Sequence, residues 1–597
     1  MNDSNAPAHE LASHSFAWHR HWQRRTLFVC FATGMVFGTI GYTQYLPGTS
    51  FTNALYGAVQ LFSFHSPHFE TEVPWTLEIG RWLAGVTTVF AGFQLVRRMW
   101  QEERDAQRIR RMKQHVIVCG LGRRGLAAVQ NLTLQQRKRV VVIDKAPAPD
   151  MAEACRKLGV HLLTGDATNP DVLQAARIGC ASALVTLCPE DSTNCEIAAH
   201  ACNLRAAAGE CPEPLQCQIQ VGDAEARKAL QELLARRHEK SNAVIRFFDT
   251  FDPQVRQLLV HQLPLDHAGI KPDDVRPVHL VILGFGRMGR TLAVRAAQLG
   301  VFAQPGRLKI SVIDRRANTH RAELLFRHPQ IGAVCDIEFH ELESISPETR
   351  DKLKEWCSRP DTITSVAICF DEEQRALEIA LMLKTVAPNH ARVAVRMSAN
   401  LGLASLMSAT KKTEPGGWEF IPFGMTGTHG IGEDAVEQFA RQIHAAYVKM
   451  RQAEAGDDAA RQEKLKRDPA MRDWDVLPED FRESNRQQAD HIHIKLRALG
   501  LEAAEASDAR TAVTEFTPAQ VELLAEMEHR RYLAERRMAN WVFGPKKDEA
   551  RRENPSMIDW DKLTEEVKEY DRAAVRAIPK LLAGAGSRPK IVRLVKR

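Results

Sequence analysis

At 597 residues the chain is too long for one domain, and a composition of 44% hydrophobic and 26% charged residues excludes a disordered or low-complexity protein. The net charge of +6 is small for this length, and the tightest basic clusters flank apolar runs, which speaks for a membrane surface and against a nucleic-acid groove. The 12 cysteines include no C-x-x-C pair, so a reduced compartment suits them better than a disulfide framework.

Residues 1–25 form a polar segment ending in Arg24 and Arg25, and from Thr26 to Phe69 no Asp, Glu, Lys or Arg occurs. At about 1.5 Å per residue, Thr26 to Leu46 reaches roughly 30 Å, the thickness of a hydrocarbon core. The run is longer than the apolar part of a signal peptide, and no small-x-small cleavage site follows it cleanly. Pro74 to Val96 is a second candidate span, broken only by Glu78 and Arg81, which stand one turn apart and can pair. Residues 26–96 therefore read as a two-span α-helical hairpin, with Trp75 and Trp82 suited to an interfacial belt. Arg20, Arg24 and Arg25 precede it; Arg97, Arg98, Arg104, Arg108, Arg110, Arg111 and Lys113 follow, in a stretch (97–114) that reads as a basic linker helix. The loop between the spans carries Glu70 and Glu72 instead, which puts both termini on the cytoplasmic side.

Between the spans, residues 51–64 are apolar but too short to cross, and two readings stand: a re-entrant pore helix or a helix lying on the membrane face. Span, re-entrant helix, span resembles the plan of a potassium-channel pore subunit. The T-V-G-Y-G filter is absent, with Ser63, Phe64, His65, Ser66, Pro67 and His68 in its place, so the resemblance extends to topology and not to selectivity. Thr87 and Gln94, about two helical turns apart, are the candidates for lining a pore. Glu70 and Glu72, repeated by symmetry, would form an outer acidic ring that favours cations.

Two Gly-rich turns follow. The first, Gly120-Leu-Gly122-Arg-Arg-Gly125, comes after the apolar run Val116–Cys119; the second, Gly284-Phe-Gly286-Arg-Met-Gly289, comes after Leu280–Leu283. Strand, G-x-G-x-x-G, helix is the context in which a pyrophosphate rests on helix-terminal N–H groups. An acid 19 residues after Gly125, Asp144, is placed to take a ribose hydroxyl; in the second copy an insertion around Pro305-Gly306 lengthens the connection, and Asp314 stands 25 residues after Gly289. The first copy adds Gly165-Asp166 after another strand; the second lacks that pair, with Cys335-Asp336 in a comparable region. Arg315 and Arg316, directly after Asp314, suit an anion such as a phosphorylated ribose. Gly120, Gly122, Gly125, Asp144 and the Gly165-Asp166 turn resemble the nucleotide-contacting motifs of the RCK domain, of TrkA N-terminal type, which regulates potassium conductance. The resemblance implies NAD or another adenine nucleotide as ligand, self-association into a ring, commonly a homotetramer, and no catalysis. The copies occupy 115–265 and 275–425.

After Met397 the pattern turns to helices rich in Glu, Arg and Ala, with Thr517-Pro518 as an N-cap and first-turn pair, and 430–582 reads as an all-α domain before a basic tail, 583–597. Trp474-Asp-Val-Leu-Pro478, Asn485-Arg486, and Glu528-His529-Arg530-Arg-Tyr532 leading to Asn540-Trp541 resemble the RyR domain, first described as a repeat in ryanodine receptors. Asn485, Arg486, Glu528, His529, Arg530, Tyr532 and Trp541 are then candidates for a basic and aromatic pocket that takes a nucleotide-derived ligand. A solvated charged helix with His529 and Trp541 in the core is the competing reading. The resemblance implies a sensor, with antiviral defence among its settings.

The expectation is thus a multidomain, non-enzymatic protein of a bacterial-type inner membrane: a channel or pore-forming effector whose hairpin is gated by two RCK domains and a RyR domain. Two rivals stand beside it, a membrane-anchored regulator of a separate potassium transporter and an NAD-dependent oxidoreductase. Against the last, no substrate domain with a recognisable catalytic arrangement follows either turn. Cys188, Cys195 and Cys202 recur at heptad spacing and would line one helix face as a thiol stripe or simply be buried.

Overall fold

The computed structural model describes residues 9–63, 72–208, 213–223, 226–227, 229–230, 242–267, 269–386, 392–397, 420–424, 435–584 and 589–594. The chain divides into two compact units, Met1–Arg111 and Met112–Arg597.

In the first unit, α1 (His9–Tyr45), α2 (Phe51–Leu61) and α3 (Trp75–Arg110) form a helical hairpin with a short helix between its arms. The arms approach as closely as glycine allows. A Cβ at Gly41 would stand 2.5 Å from Leu77, and one at Gly80 would stand 2.7 Å from the Gly38 nitrogen, a packing in which small residues let helix backbones meet. Tyr42, Ala54, Leu61, Leu77 and Ala84 make the small core between them. Ser50 caps α2 by accepting from the Asn53 N–H. The outer faces are apolar: Phe28, Val36, Ile40, Tyr56, Trp82, Val86, Val89 and Phe93 are all exposed. Among the described residues one stretch, Leu27–Tyr45, is long and apolar enough to cross a membrane by length and composition. The linker expected at 97–114 continues α3 without a break as far as Arg110.

The second unit begins with β1 (Val116–Cys119), β2 (Val140–Asp144), β3 (His161–Thr164), β4 (Ala183–Thr186), β5 (Leu215–Gln220) and β6 (Ala243–Phe248), joined in a six-stranded sheet of order β3-β2-β1-β4-β5-β6 in which every pairing is parallel. A second sheet repeats this plan, with β7 (Val278–Leu283), β8 (Lys309–Asp314), β9 (Asp336–Glu341), β10 (Ile363–Ile368), β11 (Arg392–Arg396) and β12 (Phe420–Phe423) in the order β12-β11-β10-β7-β8-β9. β7 and β10 are buried along their whole length, as parallel strands covered on both faces must be. The strand order reverses beside β1 and beside β7, and each Gly-rich turn leaves the sheet at that switch point, where α/β folds bind their ligands. The turns open α4 (Arg123–Gln130) and, in the second copy, the helix Arg287–Leu299.

The C-terminal region is built on four long helices, Ala435–Ala455, Glu479–Ala498, Pro518–Met538 and Glu565–Gly584. Thr517 and Gln520 form the capping box that starts the third. The region is not purely helical. β13 (Leu501–Ala504) pairs antiparallel with β16 (Lys590–Arg593), and β14 (Val542–Phe543) pairs with β15 (Glu553–Asn554). Part of the expected basic tail is therefore a strand that closes the domain, since Ile591 and Val592 alone make its sequence apolar enough to bury.

This helical region shares one hydrophobic core with the second sheet. Leu292, Ala296 and Phe302 pack in the same cluster as Leu524, Met527 and Trp560. Ion pairs tie this region and the second fold to each other and to the residues between the two sheets. Arg256 holds Asp490 at 2.6 Å, Arg497 holds Asp266 at 2.9 Å, and Arg295 binds both Asp252 and Glu483. His491 meets the Val301 carbonyl at 2.8 Å, and Arg530 donates to that of Gln304 at 3.1 Å.

Candidate nucleotide site

The first turn is built by exclusion of side chains. Gly120 has φ +97°, and a Cβ there would stand 3.0 Å from the Cys188 nitrogen. A Cβ on Gly125 would stand 2.0 Å from the Gly120 carbonyl, so the helix can start only if that position is bare. Gly122 is the N-cap residue of α4 and faces open space, leaving the helix N–H groups available to an anion. Asp144, at the end of β2, accepts from the Leu121 N–H at 2.6 Å and from the Ala146 N–H at 2.9 Å, which pins its carboxylate to the turn. Gly165 follows β3, and its N–H donates to the Asp144 carbonyl at 3.0 Å. Asp166 accepts from the Thr168 N–H and hydroxyl and takes Lys145 at 3.2 Å; those hydrogen bonds hold its carboxyl below the usual range. The Cys188 thiol lies beside both acids, and burial, helped by Asp144 and Asp166, pushes it up to about 11.

The second turn superposes on this logic residue by residue. Gly284 has φ +89°, a Cβ on Gly289 would stand 2.2 Å from the Gly284 carbonyl, and Gly286 is the open N-cap residue. Asp314 accepts from the Phe285 and Arg316 N–H groups, each at 2.8 Å. Two differences matter. A Cβ at Gly284 would touch the Phe370 ring at 2.8 Å, so an aromatic stands over the second turn where Cys188 stands over the first. The counterpart of Gly165-Asp166 is not Cys335-Asp336, which opens β9. It is Leu342-Glu343: β8 and β9 pair Asp314 with Glu341 as β2 and β3 pair Asp144 with Thr164, and the Leu342 N–H donates to the Asp314 carbonyl. The neighbouring cation is repeated too, with Arg315 3.6 Å from Glu343.

The two turns reach across to each other. Arg123, first residue of α4, lies 3.7 Å from Glu373 of the second fold, and Arg287, at the same place in the second turn, pairs with Asp191 of the first at 3.0 Å. Beside them Arg124 and Arg396 stack on the Phe251 ring with guanidinium-to-centroid distances of 5.4 and 5.6 Å. Asn194 is fully buried and ties the Cys188 N–H and carbonyl to the Gln220 carbonyl, which fixes the loop beneath Gly120. None of these partners was visible in the Gly-rich motif; only the matching Arg in each turn hinted at them.

The expected pocket in the helical region is not assembled. Arg486 is held between Glu437 and Glu479, each at 2.6 Å, and Asn485 donates to the Phe481 carbonyl. Glu528 lies in the interior with Lys495 and Arg531; burial would raise its carboxyl, but the two cations overcome that and hold it at about 2. His529 is buried against the Ile558 carbonyl at 2.7 Å, and Arg530 belongs to the boundary with the second fold. Tyr532 and Trp541 do share a neighbour, the Arg536 guanidinium, 5.1 and 5.3 Å from their rings. The charged residues are thus consumed by internal pairs, and Tyr532, Arg536 and Trp541 remain as the aromatic and basic grouping. In the hairpin Thr87 is buried and its hydroxyl donates to the Leu83 carbonyl. Glu72 is exposed, whereas Glu70 and the Gln94 side chain lie outside the described residues. Among the described residues no cluster of metal-ligating groups occurs.

The family model of the TrkA-N domain matches residues 116–237, and that of the RyR domain matches residues 509–589, which leaves Asn485 and Arg486 outside it. The chain is 27% identical over 150 residues to the glutathione-regulated potassium-efflux system protein KefC of Escherichia coli O139:H28. That alignment covers 25% of this chain and only 24% of KefC, so the chain spans a quarter of the length of this curated relative. Among solved structures, GsuK bound to ADP is similar with a TM-score of 0.36 and 15% identity, over 67% of this chain and 93% of that one. The TrkA-N domain of the Escherichia coli inner membrane protein ybaL is similar with a TM-score of 0.20 and 20% identity, over 25% and 96%. The chain therefore carries a TrkA-N domain of the RCK type and, towards its C-terminus, a RyR domain.

Proposed function

We propose that this protein is a nucleotide-controlled membrane channel or pore, in which an adenine nucleotide on the Gly120–Gly125 turn sets the conducting state of a hairpin assembled from several copies, four in the simplest ring. The observation that carries the reading is the bare, pre-formed turn with Asp144 pinned beside it, joined through residues 111–115 to a helical hairpin whose outer faces are apolar. Apolar side chains around a hairpin are at rest in lipid. The second arm, α3, is proposed as a second span, its Glu78–Arg81 pair, 2.8 Å apart, removing the cost of two lone charges. The nucleotide is proposed as a signal and not as a reactant, and the RyR domain as the place where a second, nucleotide-derived signal enters, with antiviral defence as one setting. A nucleotide can shift the pore only by its difference in affinity for two arrangements of the cytoplasmic region.

The test is ion flux from liposomes that contain only the purified full-length protein, with NAD, NADH, ATP, ADP, ADP-ribose and cyclic dinucleotides added in turn. Flux evoked by one of them supports the proposal. Nucleotide binding without flux refutes it and favours a membrane-anchored regulator of a separate potassium transporter, a reading supported by the fact that a single described stretch qualifies as a span.

A further inference from the structure

Among the described residues β9 is an edge of the second sheet, with β8 as its one neighbour. The Asp336 N–H donates to the Leu308 carbonyl and the Leu342 N–H to that of Asp314, so the even-numbered residues of β9 bond to β8. In a parallel ladder the alternate residues, Ile337, Phe339 and Glu341, then turn both N–H and C=O away from the sheet. The opposite edge, β12, is buried over most of its length, whereas β9 carries only exposed and half-buried side chains. An open ladder of this kind is a template for another strand.

Between β9 and the helix Ala317–Arg327 runs a groove of about 330 Å³, lined by Arg321, Leu325, Ile331, Ile337 and Phe339. Leu325 is 38% exposed and Phe326 89%, on the outer side of a helix whose Ala317, His320 and Leu324 face the interior. The acids that would guard the edge are engaged within the chain: Asp336 lies 3.8 Å from Arg307, Glu338 lies 3.2 Å from Lys309, and Glu341 accepts from the Asn318 N–H at 3.1 Å. His340 differs, because its Nε2 is buried without a hydrogen-bond partner, 3.8 Å from Glu338 of its own strand.

We propose that β9 pairs antiparallel with β9 of a second copy of this chain, about a two-fold axis at Phe339, joining the two sheets edge to edge. In this register Phe339 faces Phe339, Ile337 faces Glu341, and every outward N–H and C=O of these residues finds a partner. Glu338 stands opposite His340 of the second copy, and the reverse, so a carboxylate meets the unsatisfied ring nitrogen twice. The neighbouring registers, centred on Glu338 or on His340, set like residue against like and lose that complementarity. The axis stands perpendicular to the joined sheet, so both Ala317–Arg327 helices lie on one face. Leu325 and Phe326 of each copy then border the groove of the other and leave water, as an isologous contact requires. The contact needs neither a nucleotide nor the membrane.

The experiment combines Glu338→Cys with His340→Cys in the full-length protein in detergent, oxidises it mildly with copper phenanthroline, and separates the products without reductant. Residues opposed in this way have Cα atoms about 4.5 Å apart, within disulfide reach. The expected result is a covalent dimer that the wild type, with its 12 cysteines, does not form, and a mass spectrum that links position 338 to position 340. Phe326→Glu, added at a solvent-facing position, should abolish that dimer; an undiminished yield overturns the part given to the groove. Absence of the dimer in the double variant overturns the pairing, and a dimer formed equally by Glu338→Cys alone overturns the register. In the unaltered protein the amides of Ile337, Phe339 and Glu341 should exchange slowly with deuterated solvent, as paired amides do, and fast exchange at all three overturns the proposal without any variant.

Discussion

Gly125 has no room for even a methyl group, because the nearest atom to its missing Cβ is the Gly120 carbonyl oxygen that shapes the turn. Gly125→Ala must push the helix start away from β1, at a cost of about 1–3 kcal/mol of backbone strain. We expect nucleotide binding, measured by calorimetry, to weaken at least tenfold; Gly122→Ala, whose methyl group would enter the open space left to the anion, should weaken binding with little loss of stability. A second expectation at this scale concerns pH. Burial, with His261 and Arg497 adding to it, lowers His493 to about 3; burial, with Arg392 and Arg276, lowers His267 to about 4. When unfolded, both take up protons near pH 6.5. Between about pH 6.5 and the folded values the unfolded chain binds more protons, so stability falls with falling pH, by about 1.4 kcal/mol per pH unit for each such histidine, and is unaffected above pH 7. Melting curves from pH 8 to pH 5 should follow that slope, and His493→Phe should flatten it; an unchanged slope would remove His493 from the account.

At the scale of elements, the helix Arg287–Leu299 has two ends with different duties. Its start, after Gly286, is half of the second nucleotide turn, and near its other end Arg295 binds Asp252 and Glu483 in the interior. Arg295→Met removes the shared cation of two half-buried carboxylates, and with Arg486 still 3.6 Å from Glu483 the cost is about 1–3 kcal/mol. The thermal midpoint should drop by several degrees, and Arg295→Met combined with Asp252→Asn and Glu483→Gln should recover part of the loss. The same element explains how much of this protein could be read in advance. Both Gly-rich turns, their strands and the acids Asp144 and Asp314 were legible, since local sterics alone dictate them. The Leu342-Glu343 counterpart of Gly165-Asp166 was not: it lies 28 residues after Asp314, where Gly165 lies 21 after Asp144, and only the pairing of β8 with β9 fixes the position. The RyR candidates misled for another reason. Glu528, Arg531 and Glu535 stand one turn apart on a helix, and such a pattern reads the same whether the residues face water or one another; Lys495, whose buried ammonium decides the matter, is distant in the chain.

For the whole molecule, the division at Arg111 predicts separable behaviour. A protein lacking residues 1–111 should bind nucleotide with unchanged affinity and leave liposomes intact; affinity lost together with the hairpin would refute a modular design. If Glu72 contributes to an outer acidic ring, Glu72→Lys should reduce the preference for cations measured from reversal potentials. The crossed pairs Arg123–Glu373 and Arg287–Asp191 have a consequence of a different kind. Two identical folds that meet about a two-fold axis must change together, because every substitution falls on both sides of the contact. Here both partners are encoded in one polypeptide, so each may drift alone: a thiol can stand over one turn and a phenyl ring over the other. The pair is an obligate heterodimer without a second gene, free to keep one seat for a ligand while the other becomes its fixed counterweight.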